Sequence, residues 1–147
     1  MNRRRFIEKS CVACFSITTM ANVLTGCQVT HYISGVLGKE GISVKPDDFK
    51  TDKINASYRS FIIIRNDALQ YPICLFRKSN TVYTAIWMRC SHQGAELQVS
   101  GDTMSCPAHG SEFNNNGLVT NGPADRNLRN FPVTLFENEI YIDLRKA

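Results

Sequence analysis

This sequence predicts an all-β fold, an antiparallel β-sandwich, on three observations. Its apolar residues gather in strand-length runs rich in β-branched and aromatic side chains, as at Phe61-Ile62-Ile63-Ile64. Clusters of Gly, Pro, Asn and Asp separate the runs. No helical apolar period of any length follows residue 27. With 147 residues, 43% of them hydrophobic, the chain has material for one domain with a real core.

The first 26 residues read as an export signal that ends at Cys27. Arg3-Arg4-Arg5-Phe6-Ile7 resembles the twin-arginine export motif. The apolar stretch that follows is interrupted by Ser16, Thr18, Thr19 and Asn22, too polar for a permanent membrane span. Leu24-Thr25-Gly26-Cys27 resembles a bacterial lipobox, in which cleavage leaves Cys27 as a lipidated first residue. An uncleaved N-terminal anchor is the alternative. Either way, the protein is expected on the periplasmic or extracytoplasmic side of a bacterial membrane. Four of the 17 Lys+Arg and one of the 13 Asp+Glu fall in the first nine residues, leaving 13 against 12 from Cys27 onward. Nothing in that near balance suggests a nucleic-acid surface.

Residues 27–40 are polar around Gly35 and Gly38 and read as a tether or short ordered arm, with His31 simply solvated. One domain is expected over residues 41–147. Ile42-Ser43-Val44 alternates as a half-buried strand does, and Pro46-Asp47-Asp48 is turn chemistry. Strands are expected at Ser60–Arg65, and at Tyr71–Arg77 and Thr81–Met88 as a hairpin through Lys78-Ser79-Asn80. Cys74 lies inside an apolar run and reads as a small buried hydrophobe. Farther on, a tight hairpin around Ser100-Gly101-Asp102, a short strand at Leu118-Val119-Thr120 and a closing hairpin through Asn138 complete the chain.

Packing does not explain the stretch from Cys90 to Ser111. Cys90-Ser91-His92-Gln93-Gly94 and Cys106-Pro107-Ala108-His109-Gly110-Ser111 are two turns, each carrying one thiol and one imidazole. Thirteen residues separate His92 from Cys106. Zinc takes a Cys₂His₂ set, but zinc fingers pair Cys with Cys and His with His, and here each loop offers one of each.

The two loops resemble those of the Rieske [2Fe–2S] domain, and Gly122-Pro123-Ala124 resembles the proline loop of that family. The resemblance implies a Rieske-type sandwich with a small cluster-binding subdomain carried on two loops. It implies one [2Fe–2S] cluster, with Cys90 and Cys106 on the buried iron and His92 and His109 on the outer one. Ser111 matches a serine whose hydroxyl bonds a bridging sulfide. With Cys90 and Cys106 on iron and Cys27 on lipid, Cys74 has no thiol to pair with once the signal is removed, and no disulfide is expected in the mature protein.

Departures from the family sharpen this reading. Quinol-oxidising members carry a cysteine in each loop, joined as a disulfide; the matching positions here are Ala95 and Ala108. A tyrosine that bonds a cysteine sulfur in high-potential members is Phe113 here, and an apolar docking residue is Gln93. With no nucleophile constellation or phosphate loop, the expected function is one-electron transfer. The expected partner is a redox protein, such as a cytochrome or an oxidoreductase subunit, or a quinol. The alternative is the iron–sulfur subunit of a larger complex, quinol-oxidising or of the arsenite-oxidase kind.

Overall fold

Residues 30–51 and 57–145 are described by a computed structural model. The expected signal, its twin-arginine motif and Cys27 lie outside the described residues. The strands in chain order are β1 (Tyr32–Ile33), β2 (Val36–Leu37), β3 (Gly41–Val44), β4 (Phe61–Ile64), β5 (Ile73–Arg77), β6 (Tyr83–Trp87) and β7 (Gln98–Ser100). They continue as β8 (Thr103–Ser105), β9 (Glu112–Asn114), β10 (Val119–Asn121), β11 (Asn130–Phe131), β12 (Val133–Phe136) and β13 (Glu139–Asp143). Three sheets result, ordered β1-β4-β5-β6-β11, β10-β9-β8-β7 and β12-β13-β3-β2.

A strand that is apolar at every position needs cover on both faces, and β4 has it. Successive side chains of a strand point to opposite faces of its sheet. Phe61 and Ile63 accordingly join one core with Cys74, Phe76, Ile86 and Met88. Ile62 and Ile64 join a second core with Ile73, Leu75 and Ala85. The five-stranded sheet is therefore the middle layer. Its first face packs on Leu97, Met104 and Phe113 of the β7–β10 sheet and its loops. Its second face packs on Ile42, Val44, Ile140 and Ile142 of the β2-β3-β13-β12 sheet. The continuous apolar runs at β4 and β5 are what burial on both faces requires.

Pairing is antiparallel throughout except at β1, which runs parallel to β4 with Tyr32 opposite Ile63. The amides of Ile63 and Arg65 donate to the carbonyls of His31 and Ile33 at 2.9 and 2.8 Å. Val36 and Leu37 pair with Ser43 and Ile42. The described part of residues 27–40 is thus the ordered arm rather than a free tether, and sheet pairing begins at Tyr32 instead of Gly41. Its polar composition hid this, because two-residue strands leave no period to read. Pro46–Phe49, expected as a turn, closes into one turn of 3-10 helix that sends Phe49 into the second core. Asp48 caps it by accepting the Lys45 N–H at 2.8 Å.

No helix among the described residues is long and apolar enough to cross a membrane. Cys74 is fully buried in the β5 run, and burial pushes its thiol up from the ordinary cysteine range.

Gly41 opens β3 opposite Asp143, at a point where a Cβ would overlap the Ile142 carbonyl oxygen and the Tyr141 ring. Gly41→Ala therefore forces the β3–β13 pair apart. Equilibrium unfolding in urea should show a loss of about 1–3 kcal/mol, the range for overpacking a close contact.

Candidate functional site

The β7–β10 sheet carries two loops at one end of the molecule, and the same backbone device builds both. The Cys90 N–H donates to Ala95 O at 2.8 Å, and the Cys90 carbonyl accepts the Gly94 N–H at 2.9 Å. The Cys106 N–H donates to Ser111 O at 2.8 Å, and the Cys106 carbonyl accepts the Gly110 N–H at 2.9 Å. Each turn therefore closes four and five residues past its cysteine. Closure needs a left-handed residue at the fourth place, and Gly94 (φ 79°) and Gly110 (φ 77°) supply it without the strain an L side chain meets there. The two histidines differ in register: His92 is the second residue after Cys90, and His109 the third after Cys106.

Burial separates the two kinds of side chain. Cys90 and Cys106 are 1% and 3% exposed, packed in the first core with Met88, Leu97, Met104 and Phe113. His92 is half-buried, and His109 is exposed. The imidazoles meet edge to face, with ring centroids 5.0 Å apart. Sulfur lies inside and nitrogen outside.

Burial alone would hold the Cys106 thiol protonated, since a charge in an apolar core is poorly solvated. Backbone N–H groups of His109 and Ala108, together with the Cys90 side chain, more than offset this and lower its pKa below the usual thiol value. That environment favours the thiolate, the form that ligates metals. Nδ1 of His92 is buried without any hydrogen-bond partner. A buried ring nitrogen with no partner is costly unless something absent from the protein atoms bonds it, and a metal bond meets that need. The donor set thus fits a metal group. Among the described residues, no three His, Cys, Asp or Glu side chains are placed to share one metal ion.

A third segment closes over the loops, and two hydroxyls hold it. Ser111 is fully buried, and its Oγ accepts the Ala124 N–H at 3.0 Å, leaving its own proton free to donate elsewhere. Ser91 donates through Oγ to the Arg126 carbonyl at 2.5 Å. Gly122–Arg126 is thereby tied to both cysteine turns. Ser111 is where the sequence places it. Ser91 was missed, because a serine between two ligand-type residues gives no sign of a partner 35 positions away. Phe113 is fully buried in β9, Ala95 packs half-buried against the first core, and Ala108 and Gln93 are exposed. Cys74, Cys90 and Cys106 are free thiols.

A β-sandwich that presents a Cys₂His₂ set on two loops beneath a closing segment is the architecture of a small iron–sulfur electron-transfer domain. The chain belongs to the Rieske [2Fe–2S] domain family, whose sequence model matches residues 49–132. That span includes both cysteine turns and the closing segment. It carries the family's single [2Fe–2S] cluster and its electron-transfer chemistry to this protein. Among solved structures, the fold is similar to the cyanobacterial plasma membrane Rieske protein PetC3 from Synechocystis PCC 6803. The identity is 24% and the TM-score 0.50, covering 57% of this chain and 86% of that one. It is also similar to a chain of the complex of reduced oxygenase and oxidized ferredoxin in carbazole 1,9a-dioxygenase. There the identity is 21% and the TM-score 0.55, covering 75% of this chain and 98% of that one. At these identities the likeness is one of fold. No curated protein sequence matches this chain.

Ser111→Ala strands the buried Ala124 amide. The substitution should cost about 1–3 kcal/mol in equilibrium unfolding, the range for a buried donor left unpaired, while Ser111→Thr keeps most of the stability.

Proposed function

We propose that Cys90 and Cys106 hold one iron of the cluster and that His92 and His109 hold the other, with Ser111 donating a hydrogen bond to a cluster sulfur. The observation that carries this assignment is the buried, unpartnered Nδ1 of His92 beside two buried thiols. Bound there, a [2Fe–2S] cluster supplies one electron at a time. The protein atoms do the rest. The core around Cys90 and Cys106 excludes water from the sulfurs, and the exposed His109 ring reaches the surface. The amides of Ala108 and His109 hold negative charge on Cys106.

The proposal extends to location. Residues 1–26 direct export by the twin-arginine route and Cys27 is lipidated, which anchors the domain on the outer side of a bacterial membrane. The basic start, the weakly apolar middle and Leu24-Thr25-Gly26-Cys27 support that reading. A route that carries folded proteins suits a domain filled with its cluster before export. The partner is a redox protein, either a cytochrome or a subunit of a larger oxidoreductase.

Purified protein should show the visible absorbance and reduced-state EPR signal of a mixed Cys/His-ligated [2Fe–2S] cluster. His92→Ala and His109→Ala should each abolish both, and a colourless, EPR-silent protein would refute the assignment. Mass spectrometry of the membrane fraction should find Cys27 as a lipidated first residue; an intact Met1 would refute the lipid anchor. Hydrogen bonds to sulfur favour the more negative reduced state, and Phe113 has no hydroxyl to give one. Protein-film voltammetry should therefore place the potential below about +300 mV, the top of the Rieske span. Ser111→Ala should lower it further.

A further inference from the structure

Beside the Cys90 turn, where β6 leaves the central sheet, lies an open cleft of about 260 Å³ lined by Trp87, Arg89, Ser91, Arg126, Asn127 and Arg129. Three arginines and no carboxylate are among its lining residues. Asp125, next to Arg126 in the chain, makes only a loose, exposed pair with it at 3.7 Å, which contributes little. Arg89 forms no ion pair among the described residues. Arg129 gives Nη2 to the Leu144 carbonyl at 3.2 Å, and its buried Nε has no partner. In a chain nearly neutral from Cys27 onward, this is a concentrated positive site.

Two of the three arginines pack beside aromatic rings. The Arg89 guanidinium packs 5.6 Å from the Trp87 ring centroid and 5.9 Å from that of Tyr71. Arg129 packs 5.5 Å from Trp87 and 4.7 Å from Phe131. Tyr71 meets Trp87 edge to face at 5.4 Å. A guanidinium beside a ring keeps in-plane N–H groups for a carboxylate; Arg89 and Arg126 are exposed and offer theirs, while Arg129 gives Nη2 to Leu144 and buries its Nε. Packing on a ring also fixes side chains that would otherwise lose rotamer entropy on binding.

The cleft adjoins the site. Ser91 lines it and precedes His92, Arg126 belongs to the closing segment, and Ser91 Oγ holds the Arg126 carbonyl at 2.5 Å. A partner seated there lies against the turn that carries the half-buried imidazole.

We propose that this arginine–aromatic cleft is the docking site for the carboxylate-rich surface of an acidic redox partner protein. This deepens the electron-transfer reading and rests on it. The cleft is open on one side rather than enclosed, which suits side chains projecting from a protein surface. Complementary charge beside one of the two ligand turns raises the rate of productive encounter and makes it sensitive to salt.

The test uses cluster-loaded protein, its visible spectrum checked first, so that failure to carry a cluster is read separately from failure to dock. Trp87 is the only tryptophan in the chain, so its fluorescence reports on the cleft directly. Titration with hexaglutamate at low ionic strength should give a saturable change that hexalysine does not. The joint substitution Arg89→Gln with Arg126→Gln should weaken binding about tenfold, from the loss of two charge-assisted contacts. Arg77→Gln with Lys78→Gln removes equal charge at the other end of the β5–β6 hairpin and should leave binding within about twofold of the parent. Reduction of a negatively charged cytochrome should slow as salt rises to about 0.15 M, and should slow about tenfold in the cleft variant at low salt. Equal weakening by the two double substitutions would overturn the proposal, as would a salt-independent rate. Inorganic phosphate binding as tightly as hexaglutamate would instead make the cleft a small-anion site and overturn the protein partner.

Discussion

A sulfur atom kept in an apolar core and ready to carry negative charge, as Cys106 is, needs hydrogen-bond donors within reach, and backbone amides can supply them without bringing in water. The cysteine turns meet that constraint. Each folds back on itself through a Gly in the left-handed region. At Cys106 the turn's own amides, from Ala108 and His109, reach the sulfur. The histidines are then placed by default at the outer rim of the same turns, where their rings meet at 5.0 Å. An inner pair of sulfurs and an outer pair of nitrogens follow from one folding device used twice.

The turns need a platform, which is the middle sheet. Because β4, β5 and β6 are buried on both faces, alternate residues serve different ends. Ile62, Ile64, Ile73 and Leu75 anchor the outer sheet of β2, β3, β12 and β13. Phe61, Ile63, Cys74 and Phe76 support the sheet that carries the site. A mutation on one set loosens the scaffold, and on the other it disturbs the walls around Cys90 and Cys106. The family match stops at residue 132, just before β12. The matched part therefore holds β4, β5, β6 and β11 of the central sheet with the site layer, and β2, β3, β12 and β13, all outside it, cover the other face.

The ligand-type residues were legible because the chemistry is local: Cys, His and Gly within a few positions of one another leave few readings open. The strands of the middle sheet were legible for a similar reason, since burial on both faces writes an unbroken apolar run such as Phe61–Ile64. What sequence could not show is contact between distant positions. The parallel pairing of Tyr32 with Ile63, the hold of Ser91 on Arg126, and the packing of Arg89 and Arg129 on Trp87 all depend on tertiary placement. Net charge even pointed away from the arginine cleft, because a balanced total conceals a local excess.

Arg89 shows how the scaffold, the turn and the cleft share atoms. It is the residue after Met88 of the first core and the one before Cys90, and it bridges to Glu96 across the base of the turn. A Cβ on Gly94 would meet its guanidinium at 3.3 Å. Gly94 therefore has two reasons to lack a side chain: its positive φ, and the guanidinium packed above it. Glu96, on the far side of the same bridge, pairs with Arg65 just beyond β4 and ties the turn to the central sheet. The turn that holds Cys90 and His92 is thus fastened below by an ion pair to the scaffold and flanked above by an arginine stacked on Trp87. The cleft and the candidate ligands Cys90 and His92 therefore share one turn of backbone.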